Sequence, residues 1–175
     1  MLSENMQGKL NDQLNAEAYS AYLYMSMCAY FESLDMAGFA NWMRVQAQEE
    51  ALHATKFFSF INERDGRVAL KAIDSPPTDW ASPENAFEAV YAHEQKVTGL
   101  INSLVGAAQS EGDFATVTFL QWFVSEQVEE ESSANQVLRN LKLAGRDGAG
   151  LLMLDRELAQ RVFTPPAATG QAPAG

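Results

Sequence analysis

Five side chains in this sequence can bind metal ions, and their spacing can bring them together: Glu17, Glu50, His53, Glu94 and Glu130. Each lies in a run whose apolar residues recur at steps of three and four, the period of one α-helix face. Glu50-x-x-His53 and Gln127-x-x-Glu130 are i, i+3 pairs, so both members of each pair share a helix face. Glu17 to Glu94, Glu50 to Gln127 and His53 to Glu130 are each separated by 77 residues. The second half therefore reads as a shifted copy of the first, with Gln-x-x-Glu in place of Glu-x-x-His.

Carboxylates on an apolar face need counter-charge. An ionised carboxylate buried without partners costs several kcal/mol, and four of them facing one histidine, with no seam Lys or Arg, would not stay ionised together. Two divalent cations would neutralise the four glutamates. Oxygen-rich ligation with a single imidazole suits iron or manganese better than structural zinc.

The elements that must position these residues are helices. The first is expected from Glu4 to Ser33, with Leu10, Leu14, Glu17, Ala21, Tyr24, Cys28 and Phe31 along its seam. The second is expected from Gly38 to Arg64, with Met43, Gln46, Glu50, His53, Phe57 and Phe60 on one face and Gly66 as its C′ stop. Pro76, Pro77 and Pro83 forbid a continuous helix through the next stretch. Ser82 then Pro83 reads as N-cap and N1 of a third helix carrying Phe87, Val90, Glu94, Val97, Ile101, Leu104 and Ala108. A fourth is expected from Phe114 to Leu143, carrying Leu120, Phe123, Gln127, Glu130, Ala134, Val137 and Leu141. Gly145 to Gly150 reads as a loop and Leu151 to Val162 as a short fifth helix. Residues 1–162 are expected to form one domain, and the Pro/Gly/Ala-rich residues 163–175 a disordered tail.

Glu17 lies 18 residues before Asp35, and Glu50 and His53 lie 15 and 18 after it; Glu94 lies 18 before Gly112, and Gln127 and Glu130 lie 15 and 18 after that. Equal distances from a hairpin turn mean equal heights, about 27 Å from the turn at 1.5 Å per residue. All these side chains are expected in one layer. The connection from Asp65 to Ser82 is long enough to cross a bundle end to end. The expected fold is all-α, an up-down-down-up four-helix bundle with one long crossover.

The chain has 175 residues, 47% of them hydrophobic, and a net charge of −11. That charge argues against binding nucleic acid or an anionic membrane surface. Cys28 is the single cysteine, which excludes an internal disulfide and thiolate metal clusters. No signal peptide and no apolar run of about 20 residues is visible, so a cytoplasmic protein is expected.

The segments LNDQLNAEAYSAYLY, EEALHATKFF, YAHEQ and FVSEQVEEE resemble those of ferritins of the bacterial non-haem type, over nearly the whole chain. The resemblance implies a shell of twenty-four subunits that oxidises Fe(II) with O₂ or H₂O₂ and stores ferric oxyhydroxide, with the fifth helix around the shell's fourfold axis. It implies a first iron on Glu17, Glu50 and His53, with Glu50 bridging to a second on Glu94 and Glu130, and Gln127 beside it. Tyr24 matches a tyrosine thought to supply an electron, and Glu49, Glu126, Glu129 and Glu130 match a third iron position. Haem is not expected: Ala51, where haem-binding relatives carry methionine, follows Glu50, and Gln127-x-x-Glu130 replaces a second Glu-x-x-His. Acidic residues that line an iron channel in animal ferritins are here Val117 and Leu120, so iron is expected to enter elsewhere. His93, next in sequence to Glu94, reads as a surface residue. The alternative is a di-iron oxidase or peroxidase of the rubrerythrin-like type, acting without mineral storage.

Overall fold

The computed structural model describes residues 2–145 and 147–165. Among them, five helices form in the order α1 (Glu4–Ser33), α2 (Ala37–Glu63), α3 (Pro83–Ser110), α4 (Phe114–Ala144) and α5 (Gly148–Leu158). From residue 166 on, the tail expected to be disordered lies outside the described residues, and 163–165 form no regular element.

Local chemistry sets the helix ends. Ser3, Ser82 and Asp113 cap α1, α3 and α4 by accepting from the backbone N–H three residues on. Three helices end in a Schellman turn, with Asp35, Asp65 and Gly112 as the left-handed residue after α1, α2 and α3. The expectation of Gly66 as the left-handed stop of α2 is thereby corrected. Asp65 takes that role at φ 57°, and Gly66 N–H closes the turn by donating to Ile61 O at 2.9 Å. Glycine serves there for space, since a Cβ would stand 3.0 Å from that same carbonyl oxygen.

The fifth helix starts and stops earlier than its apolar pattern suggests. Asp147 accepts from the N–H groups of Ala149 and Gly150, so the glycines of the first turn are tolerated as helix. After Leu158 the chain turns away, with Asn41 donating to the carbonyls of Leu158 and Arg161. α5 lies against α2 and α4 of its own bundle, burying Leu154 and Leu158. Met36 gives α2 no side-chain cap. Asp155 of α5 supplies one instead, its Oδ1 accepting from Gly38 N–H at 2.8 Å and Phe39 N–H at 3.1 Å.

The crossover leaves its backbone polar groups without a ladder, and α1 satisfies several of them. Gln7 and Asn11, one turn apart, bond the backbone of Arg67 and Ala69. Ser26 and Tyr30 donate to the carbonyls of Pro77 and Trp80. α1 pairs with α2 and α3 with α4, as two antiparallel hairpins. Phe31 meets Phe87, so the end of α1 lies at the start of α3, which gives the up-down-down-up order.

The core is split in two. One apolar cluster holds Phe31, Phe39, Trp42 and Phe87 with Leu138, Leu154 and Leu158. The other holds Met6, Leu10, Phe57, Ile101, Leu120 and Phe123. Leu120 is fully buried inside its own bundle. Between the clusters lies a polar layer.

Candidate metal centre

The layer between the two apolar clusters holds Glu17 from α1, Glu50 and His53 from α2, Glu94 from α3, and Gln127 and Glu130 from α4, each at most 4% exposed. Every residue that sequence spacing assigns to the layer is buried there. His53 Nδ1 stands 3.5 Å from Glu50 Oε2 and 3.9 Å from Glu17 Oε2. Those two carboxylate oxygens are buried and have no hydrogen-bond partner among the described residues. Two ligand atoms each about 2.1 Å from a shared cation stand roughly 3–4 Å apart, so the spacing suits an ion in the middle. One ligand atom each from Glu17, Glu50 and His53 falls within a 4.8 Å group, as does one each from His53, Glu126 and Glu130.

Neutral donors hold the other oxygen of Glu17 and of Glu50, both oxygens of Glu94 and one oxygen of Glu130. Gln13 Nε2 donates to Glu17 Oε1 at 2.8 Å. Gln46 Nε2 donates to Glu130 Oε2 at 2.5 Å and to Glu50 Oε1 at 3.5 Å. The Tyr24 hydroxyl donates to Glu94 Oε1. Gln127 Nε2 reaches the Glu94 carboxylate at 3.4 Å, its carbonyl at 3.3 Å and Thr98 Oγ1 at 3.3 Å. The roles of Gln13 and Gln46 are not among the sequence expectations. Each sits one helical turn before a seam glutamate, and that i, i+4 spacing is the signal that could have found them.

The electrostatics follow from burial. Glu17 and Glu50 titrate well above the usual carboxylate range, chiefly through desolvation and then through the charge of neighbouring carboxylates. Burial also raises Glu94, against the opposing hydrogen bonds from Tyr24 and Gln127. Glu130 is pushed up to about 8 by burial and by Glu94. Burial and the facing carboxylates also hold the Tyr24 phenol well above its ordinary value.

The residues expected at a third iron position come together in part: Glu126 and Glu130 offer ligand atoms beside His53, and Glu49 lines the same cavity as Glu126. Glu130 is in the layer, Glu126 is half-buried beside it and Glu129 is exposed. Glu49 is half-buried and paired with Arg161 at 2.5 Å. Burial raises both Glu49 and Glu126. A cavity of about 200 Å³ adjoins the layer here, lined by Glu49, Leu52, His53, Trp122, Glu126, Phe163 and Thr164.

The expectation that His93 is a surface residue is corrected. Its Nε2 lies 2.8 Å from Ser20 Oγ, and its ring packs edge-on to Tyr24 at 6.0 Å between centroids. Desolvation lowers it to about 4, so it is neutral near pH 7. Adjacency to Glu94 suggests an outward direction, but α1 closes over this side of α3.

Comparison with known proteins agrees with this architecture. The sequence pattern of the family described as Ferritin-like domain matches residues 7–144. The chain is 44% identical over 161 residues to a bacterial non-heme ferritin of Bacteroides fragilis strain 638R, covering 92% of this chain and all of that relative. It is 40% identical over 158 residues to a probable bacterial non-heme ferritin-like protein of Haemophilus influenzae, covering 90% of this chain and 96% of that one. Among solved structures, an open pore ferritin from the hyperthermophilic archaeon Archaeoglobus fulgidus superposes with a TM-score of 0.92 at 56% identity, covering 93% of this chain and 100% of that one.

Proposed function

The chain belongs to the ferritin family, and from that premise we propose that it stores iron and oxidises it on the way in, acting as a ferroxidase. Iron is both substrate and cargo. Two Fe(II) ions bind per subunit, one on Glu17, Glu50 and His53 and one on Glu50, Glu94 and Glu130. Each gives up one electron; together they reduce O₂ to H₂O₂ or H₂O₂ to water, with two protons taken up. The Fe(III) then hydrolyses and joins a ferric oxyhydroxide mineral. The chain's own part is to hold both ions within reach of one oxidant and to set their charge.

One observation carries this reading: Glu17 Oε2 and Glu50 Oε2 are buried, unpartnered among the described residues and within 3.9 Å of His53 Nδ1. Unpartnered buried carboxylate oxygens are costly, and a cation is the partner of matching size and charge. Raised carboxyl pKa values mean that metal entry must expel protons, which couples loading to pH. Gln127 lies beside the second ion. Tyr24, bonded to Glu94, is the candidate electron donor only where O₂ takes four electrons to water, two from the paired irons, one from a third Fe(II) and one from Tyr24, with four protons taken up. Glu49, Glu126, Glu129 and Glu130 are candidates for a third, transit position.

Assembly into a hollow shell of twenty-four subunits in the cytoplasm completes the proposal. Among the described residues, no helix is long and apolar enough to cross a membrane. The rubrerythrin-like alternative needs an electron-donor module, and a single cysteine excludes a rubredoxin one within this sequence; acting on an organic substrate, it needs room for that substrate beside the metals. The adjoining cavity of about 200 Å³ is smaller than the roughly 300–1,000 Å³ usual for such ligands. The test is stopped-flow oxidation of Fe(II) by O₂. Rapid oxidation of two irons per subunit is expected, falling at least tenfold in Glu50→Ala; an unchanged initial rate in that variant refutes the assignment.

A further inference from the structure

Beyond α5, the chain returns to the metal layer through one cation. Arg161 Nη2 donates to Glu49 Oε2 at 2.5 Å, and its Nη1 donates to Gln46 Oε1 at 2.8 Å. The guanidinium lies over the Trp42 ring, 4.5 Å from its centroid. Its backbone is held separately, by Asn41 Nδ2 donating to Arg161 O at 2.9 Å. The residues that follow, Phe163 and Thr164, wall the cavity that opens onto Glu49, His53 and Glu126. The arginine is thus built against the α2 face beside this cavity, gripped by stacking on Trp42, by a charge pair with Glu49 and by the Gln46 amide.

We propose that Arg161 is a resident counter-ion for the third cation position, occupying Glu49 until an incoming metal ion displaces it, and that it orients Gln46 toward the paired site. The inference rests on the reading of Glu49, Glu126 and Glu129 as a cation position. A guanidinium is always charged and has no acceptor. It can bond only the carbonyl end of the Gln46 amide. The amide nitrogen must then face Glu130 and Glu50, as observed at 2.5 and 3.5 Å. Released, that amide can turn its oxygen toward carboxylates, so Arg161 acts on the layer as a positioning residue. At Glu49 it competes directly with metal: the oxygen it holds cannot ligate until the pair opens. A part-buried charge-assisted pair is worth more than an exposed one, so the competition is measurable.

The test is calorimetric titration of the metal-free assembled protein with zinc, which cannot be oxidised. In the natural chain, two tight zinc ions per subunit and a weaker third are expected. Arg161→Gln should tighten the third by roughly tenfold and weaken the two tight ones by a smaller factor, since the freed Gln46 amide no longer holds Glu50 and Glu130 in place. Arg161→Lys keeps the charge but replaces the planar fork with one ammonium on a flexible stem, so its gain should be smaller. Adding Glu49→Gln to Arg161→Gln should remove the gain. A third affinity equal in the natural chain and in both Arg161 variants overturns the inference. An equal shift at all three ions also overturns it, by reducing Arg161 to a structural role. Two zinc ions per subunit in every variant removes the third position itself, and the inference with it, while leaving the paired site standing.

Discussion

Glu130 offers a sharp test of the claim that the polar layer is built for cations. Without metal, its carboxyl is moved from 4.5 to about 8 by burial and by Glu94. Between those values the folded chain keeps a proton that the unfolded chain has released. Stability therefore falls as pH rises through this window, and the contribution of this group is constant below about pH 4.5. At about 1.36 kcal/mol per pH unit, the loss is capped near 5 kcal/mol. Glu94 and Glu50 share the same proton balance, so part of that loss is distributed among them. Glu130→Gln keeps the shape and can still accept from Gln46, but it cannot ionise. The assay is thermal melting of both metal-free assemblies in chelator at pH 5 and pH 8.5. The two should melt within about a degree of each other at pH 5, and the variant should be the more stable at pH 8.5. For a chain of this size each kcal/mol is worth roughly 2–4 °C, so the difference should reach several degrees. Saturating zinc should reverse the order at pH 8.5, because the ion stabilises the ligating glutamate form. A melting difference that does not change with pH would refute the electrostatic account of the layer.

Two further predictions come from other parts of the fold. At Gly38 an added Cβ would stand 1.6 Å from the backbone oxygen of Asp155, so Gly38→Ala should force α5 off the start of α2 and remove its cap. Faster hydrogen exchange at the Phe39 N–H and along α5, with the metal layer unchanged, is the expected pattern; unchanged protection of α5 counts against this packing. Tyr24→Phe removes the donor to Glu94, and it should leave zinc stoichiometry at the paired site intact while slowing Fe(II) oxidation several-fold in stopped flow. An unaltered rate would remove Tyr24 from the reaction.

The sequence by itself determined the layer and the bundle. Helical period, equal distances from two turns and a 77-residue offset are local quantities, and a straight helix converts them directly into height and direction. That is why Glu17, Glu50, His53, Glu94, Gln127 and Glu130 are all legible in the spacing alone. Tertiary structure decided what depends on contacts between distant segments. The direction of its neighbour points His93 outward, yet α1 covers it. Gly66 carries a glycine's usual signal, but the left-handed turn falls on Asp65. The fifth helix lacks its expected last turn because Asn41, over a hundred residues away, holds the carbonyls from Leu158 onward. Arg161 leaves no periodic signal at all. Its place against Glu49 and Gln46 exists only once α5 has docked, since a partner chosen by docking is not written into the spacing of either segment.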